Sequence, residues 1–209
     1  MNALEWAGYF GVVIYVVGFL VMTGAAARRA GRPVWLFSKG SEAQAVPAAL
    51  FRLAFAGAVV WPPLKQVVDL ASRADPVTKV LDGPWTDGLG LVGVVVGAAL
   101  ALAAQRIMGA SWRIGAATGQ VGALVTDGPF AVSRNPVFVG QVLLFVGLLL
   151  LLPNAVQAAL TTALLVAVGW QVRIEERVLL QTLGPAYATY VRRTPRWLGW
   201  PRGWLNPSG

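Results

Sequence analysis

Two short groups of residues in this chain have types and spacings suited to chemistry. One is Arg134-Asn135-Pro136, at the entrance to the apolar run VFVGQVLLFVGLLLLLPN. The other is Arg173, Glu175 and Glu176, where a second apolar run gives way to QVRIEERVLLQTLGPAYATYVRRTP. A carboxylate at the end of a membrane helix is costly unless it meets water or a partner, and so marks a functional position by default. Adjacent acids on a helix point about 100° apart, so at most one of Glu175 and Glu176 faces a bundle interior. Arg173 and Glu176 stand three apart, a spacing that pairs them on the helix surface. Asn is a favoured N-cap and Pro a favoured first helical residue, so Asn135-Pro136 also serves simply to start a helix, with Arg134 facing lipid phosphate. The two groups flank one short hairpin. With Phe130, Phe138, Tyr187 and Tyr190 they describe an apolar pocket with a few convergent polar groups, the usual small-ligand site.

The elements that must position these groups are apolar. The chain has 209 residues, of which 56% are hydrophobic and 12% charged, with a mean hydropathy of +0.63. Soluble domains carry about 25% charged residues. Here the apolar residues run together, which identifies an integral membrane protein. The net charge of +8 sits between apolar runs and reflects membrane orientation rather than nucleic-acid binding. Cysteine and histidine are absent, which excludes disulfides, thiol chemistry, an imidazole base and zinc sites of the Cys/His kind.

Five spans are expected, over 4–24, 46–64, 88–107, 136–152 and 155–172. The fold class is therefore all-α, a polytopic helical bundle. The first run starts at Met1 without a basic leader and reads as a retained span. Arg52, near the start of the second, is placed to snorkel to the interface. The last two spans are joined by Pro153-Asn154, which predicts a tight hairpin. They are also the shortest, and suit a tilted or incomplete crossing. Most of the 17 basic residues, among them Arg28, Arg29, Arg32, Lys39, Arg106, Arg113, Arg134, Arg173, Arg177 and Arg192, fall on one side of these spans. The opposite loop holds Asp69, Asp75, Asp82 and Asp87 beside Lys65, Arg73 and Lys79. The positive side is cytoplasmic, which puts the N-terminus outside and the C-terminus inside, in a cell (inner) membrane. The tail RTPRWLGWPRGWL, with Trp197, Trp200 and Trp204, suits the headgroup layer.

The segment from Gly109 to Pro136 is too polar to cross a membrane and long for a connector. Its glycines lack the Gly-Lys-Ser/Thr ending of a P-loop and follow no strand as a dinucleotide-binding turn would. The division expected is 1–107, three spans with their loops, and 108–209, a catalytic region with the hairpin and tail.

The stretches LVTDGPFAVSRNPVFVG and RIEERVLLQTLGPAYATY, followed by Pro195, resemble the isoprenylcysteine carboxyl methyltransferase family, with phospholipid methyltransferases as wider relatives. The resemblance covers Met108 to Pro195. It implies S-adenosylmethionine as cofactor, bound at the cytoplasmic face of the bundle. It implies a cofactor-binding set of Leu124, Val125, Phe130, Asn135, Pro136, Phe138 and Glu175, and a catalytic set of Arg134, Arg173 and Glu176. Asn135 stands where the family usually has His, Phe138 where it has Tyr, and Phe130 where it often has Tyr. Asn donates and accepts hydrogen bonds but does not titrate.

Methyl transfer from a sulfonium needs no metal; it needs alignment and exclusion of water. A carboxylate suits the cofactor's ammonium, and an arginine its carboxylate or an anionic substrate. The expected partners are a lipophilic small molecule or lipid-anchored substrate and membrane lipids, with no nucleic acid and no metal. A carboxylate or thiolate acceptor needs no base. An amine must lose a proton, and Asp127, Glu175 and Glu176 are the candidate bases. That favours O- or S-methylation. Phospholipid N-methylation, a membrane reductase of the steroid or isoprenoid type using a nicotinamide, and a non-catalytic membrane partner remain the alternatives.

Overall fold

The computed structural model describes residues 1–31, 34–36, 42–67, 75–83, 85–115 and 121–199. Arg32, Lys39, Asp69, Arg73, Trp200 and Trp204 therefore lie outside the described residues.

Five apolar helices form the bundle, and no named strand occurs among the described residues. The first, α1, spans Ala3–Ala30. Asn2 and Glu5 start it with a reciprocal capping box, and Gly31 ends it in the left-handed conformation at φ 59°. Helix α2 spans Ala45–Val67. The short α3, Pro76–Leu81, is capped by Asp75, whose other carboxylate oxygen accepts from the Ala155 amide at 2.9 Å. Helix α4 spans Thr86–Met108. The one-turn α5, Pro129–Val132, precedes α6, Pro136–Leu151, then α7, Ala155–Leu183, and α8, Pro185–Arg193.

Helices α1, α2, α4 and α7 are long and apolar enough to cross a bilayer. With 16 residues at about 1.5 Å each, α6 reaches roughly 24 Å, less than the ~30 Å hydrocarbon layer. Two expected boundaries move. Helix α1 runs on to Ala30, and α7 passes through Glu175 and Glu176 to Leu183. The acids are thus within a helix, because Ile174-Glu-Glu-Arg-Val-Leu-Leu is rich in helix formers and Gly184 is the first residue to break the ladder. Outward residues of α1, Phe10, Ile14, Val17 and Val21, are exposed at helical spacing, as a lipid-facing stripe requires.

The predicted hairpin turn is present, but α6 packs chiefly against α4 and α7 chiefly against α2. Glycines explain the first pairing. A Cβ on Gly97 would lie 2.5 Å from the Gly140 carbonyl, and one on Gly147 would lie 2.5 Å from the Val94 amide. With no solvent-driven attraction between apolar helices in lipid, such close backbone contact supplies the association. On the second pairing, Gly57 admits the Leu160 side chain.

Candidate functional site

At one end of the bundle the entry to α6 is held by the chain beyond α8. The Arg134 amide donates to the Pro195 carbonyl at 2.9 Å, and the Gly199 amide to that of Val132 at 3.2 Å. Asn135 occupies the N-cap position and Pro136 the first turn of α6, but the Asn135 side chain makes no cap bond. Instead its Nδ2 donates to the Arg196 carbonyl at 3.1 Å, while its own amide is received by Ser133 Oγ at 3.0 Å. The Tyr190 hydroxyl donates to the Phe130 carbonyl at 2.7 Å, pinning α8 onto α5.

Charge is arranged around Arg134. Its Nη1 lies 3.1 Å from Glu176 Oε1, and Arg196 binds Glu176 through Nε and Nη2, the closest contact 2.7 Å. Tyr187 also bonds Arg134, and its pKa is pushed up to about 12, first by burial and then by the Glu176 charge, against the lowering effect of Arg134. Burial likewise pushes Tyr190 upward. The expected Arg173–Glu176 pair is absent. Arg173 turns back and donates to the Gly169 carbonyl of its own helix at 2.9 Å.

The adjacent Glu175 accepts from Nε2 of Gln171, one turn earlier on α7, at 3.0 Å, and the same amide reaches Gln44 at 3.2 Å. The Arg113 guanidinium is an opposite charge acting on Glu175. Arg113 comes from the connector after α4, which the bridge between Trp35 and Ile114 ties to the connector after α1.

These groups enclose a cavity of about 330 Å³, at the small end of the roughly 300–1,000 Å³ of small-molecule sites. Leu124, Val125, Phe130, Arg134, Asn135, Pro136, Phe138 and Glu175 all line it. Glu176 reaches it only through Arg134, and neither Arg173 nor Asp127 lines it. Sequence reasoning missed Tyr15, Phe51, Arg52, Phe55, Gln141 and Gln171, which also line it. Tyr15, Phe51, Arg52 and Phe55 come from helices without a local motif, whereas Gln141 and Gln171 lie on the motif-bearing α6 and α7 but outside the motifs' charged residues. Arg52 alone carried a signal, as a cation inside an apolar run.

The cavity has two chemically different parts. Arg113, Arg134, Glu175, Gln171, Tyr187 and Tyr190 make one polar. Val16, Phe19, Phe51, Phe55 and Phe138 make the other apolar, with Phe51 and Phe138 ring centres 5.8 Å apart.

Fold and site define an integral membrane protein with a ligand-sized cavity at one end of its bundle. Residues 85–186 match the phospholipid methyltransferase family, a family of membrane methyltransferases. The match runs from the start of α4 to the start of α8 and so takes in both flanking motifs. Among curated proteins, none matches the chain.

Proposed function

We propose that this membrane methyltransferase uses S-adenosylmethionine, bound in the polar part of the cavity, and methylates an oxygen or sulfur of a lipophilic acceptor lying in the apolar part. The observation that carries the reading is the union, in one cavity, of a carboxylate and arginines with an aromatic arm built from membrane helices. The cofactor supplies an electrophilic methyl group on a sulfonium. The donor set fits it: Glu175 is an acceptor for an ammonium, and Arg113 and Arg134 are donors for a carboxylate. The buried Gln171 Oε1, with no partner among the described residues, adds a further acceptor beside Glu175. Phe130, Tyr187, Leu124 and Val125 supply apolar contact for a planar base. Glu176 holds Arg134 in place, and Asn135 ties the α6 entry to the tail. Arg173 has no role in this arrangement beyond the helix surface.

The cavity lining carries Arg52, Arg113 and Arg134 against Glu175. That balance suits a neutral or anionic acceptor better than a cationic one. The family's description favours a second reading, N-methylation of a phospholipid amine, for which Glu175 would take the proton. Leu20 and Arg52, exposed and lining the cavity, put its mouth between α1 and α2, open to acceptors from the bilayer. Residues 108–209 then carry the cofactor chemistry and 1–107 the wall of the acceptor arm. The basic end of the bundle, with Arg28, Arg29 and Arg106, faces the cytoplasm of the inner membrane.

The test is calorimetric titration of S-adenosylhomocysteine into protein in lipid nanodiscs, beside Glu175→Gln. Saturable binding, weakened at least tenfold by the substitution, is expected. No binding by folded wild type overturns the reading. Transfer of labelled methyl into phosphatidylethanolamine, rather than into neutral or acidic lipids, would select the second reading.

A further inference from the structure

The apolar arm contains one polar feature that the methyl-transfer reading leaves unused. Gln141 of α6 donates from Nε2 to the Tyr15 hydroxyl of α1 at 2.9 Å. Both side chains line the cavity, with Tyr15 1% and Gln141 5% exposed. Gln141 Oε1 is buried and has no hydrogen-bond partner among the described residues. The Tyr15 hydroxyl spends its acceptor on Gln141 and keeps its own proton to donate. Turning the amide over exchanges the roles and leaves an NH₂ group unspent instead. In either arrangement the pair keeps a hydrogen-bonding group that no neighbour among the described residues uses, beside the cavity its two residues line.

Gln105 and Gln157 also leave an amide oxygen without a partner among the described residues, but neither lines the cavity; Gln141 and Tyr15 do. An unspent amide oxygen among Phe19, Phe51, Phe55 and Phe138 is costly in a medium without water. Gln141 follows Asn135 by six residues, about 9 Å along the helix axis toward the bilayer centre. That is beyond the entry of α6, where Arg134 and Asn135 are held, and the pair itself is uncharged.

We propose that Tyr15 and Gln141 recognise an uncharged oxygen function, a hydroxyl or carbonyl, carried in the apolar body of the acceptor. This rests on the reading of the apolar arm as the acceptor site. It narrows the substrate class from any lipid to a lipophilic alcohol, phenol or ketone, since a plain hydrocarbon chain would leave the pair unsatisfied. A site built to hydrogen-bond an oxygen rejects the analogue that lacks it.

The probes are a diazirine-bearing 16-carbon alcohol and the same molecule without the hydroxyl, photocrosslinked to the full chain in nanodiscs. Labelled peptides are mapped by mass spectrometry. The alcohol should label cavity segments of α1, α2 or α6 roughly tenfold more than the hydrocarbon. Tyr15→Phe should reduce that preference, and Tyr15→Phe/Gln141→Leu should abolish it. The double variant replaces the whole pair by apolar groups and leaves no stranded partner, and its folding is read from its thermal melt. Equal labelling of wild type by both probes overturns the proposal, as does a preference that survives in the folded double variant. S-adenosylhomocysteine titration of the same wild-type sample separates the two readings. Alcohol preference without cofactor binding would sink the methyltransferase mechanism and leave the recognition site standing.

Discussion

Glu176 joins two arginines that differ sharply in exposure. Its side chain is 12% exposed, Arg134 10% and Arg196 43%. Replacing Glu176 with Ala removes both ion pairs and strands Arg134 in a site largely shielded from water. Breaking such a buried pair from one side costs about 3–5 kcal/mol. The cavity beside Arg134 admits some solvation, so the lower end, about 3 kcal/mol, is expected. Arg196→Ala removes the more exposed pair and leaves Glu176 bound to Arg134. Solvent screening holds that loss to about 0–1 kcal/mol. In a chain of this size each kcal/mol moves the melting temperature by roughly 2–4 °C. Thermal unfolding in nanodiscs should therefore fall about 6–12 °C for Glu176→Ala and about 0–4 °C for Arg196→Ala. The double variant Arg134→Met/Glu176→Ala should recover most of the larger loss, since no buried charge is then stranded. Equal shifts for the two single variants would refute the reasoning, and so would a double variant worse than Glu176→Ala.

Gly97→Ala and Gly147→Ala, whose new Cβ atoms meet backbone at 2.5 Å, should separate α4 from α6 and lower the melting temperature by several degrees. Gly88→Ala, where nothing lies within 4 Å, should instead raise stability by up to about 1 kcal/mol. The raised pKa of Tyr187 means that its contribution to stability is complete below about 10, the unfolded value, and is lost as pH rises through about 12. Tyr187→Phe should flatten the stability profile in that window and remove a late component from the 295 nm titration. Asp75→Ala removes the cap of α3 and the bond to the Ala155 amide, and should cost about 1 kcal/mol in the same melting assay. That carboxylate's pKa is lowered, first by the Ala155 amide, so its contribution is present above about pH 4 and lost as pH falls further. Because the chain has no cysteine, single Arg28→Cys and Asp82→Cys variants report orientation cleanly. An impermeant maleimide applied to intact cells should label the second and spare the first.

Several features were legible in the chain because they depend on local order. Apolar runs gave the membrane helices, and Asn135-Pro136 marked the start of α6. The RNP and IEE stretches pointed to a shared site because both adjoin one short hairpin, and the cavity does bring Arg134, Asn135 and Glu175 together. Partner choice was less legible. Spacing paired Glu176 with Arg173, three residues away. The fold gave Glu176 instead to Arg134 and to Arg196, forty-two residues earlier and twenty later. An i,i+3 pair on an exposed helix face gains little. A carboxylate turned toward the α6 entry gains two guanidinium partners in a drier setting, and Arg173 is left to its own helix carbonyl.

The sequence by itself determined that this is an all-α membrane protein, where its membrane helices begin, and which motifs resemble the membrane methyltransferases. Periodicity, composition and turn residues act over a few residues, so they survive in the linear record. The tertiary structure decided what those motifs face. Glycines of α4 and α6 pack backbone to backbone, and α2 packs more on α7 than on α1, its neighbour in the chain. That packing brings Tyr15, Phe51, Arg52 and Phe55, from the half of the chain without a motif, to the same cavity as Arg134 and Glu175. No local rule records such a meeting, because it is set by which helix surfaces fit closely enough for dispersion to hold them in a solvent that does not drive them together.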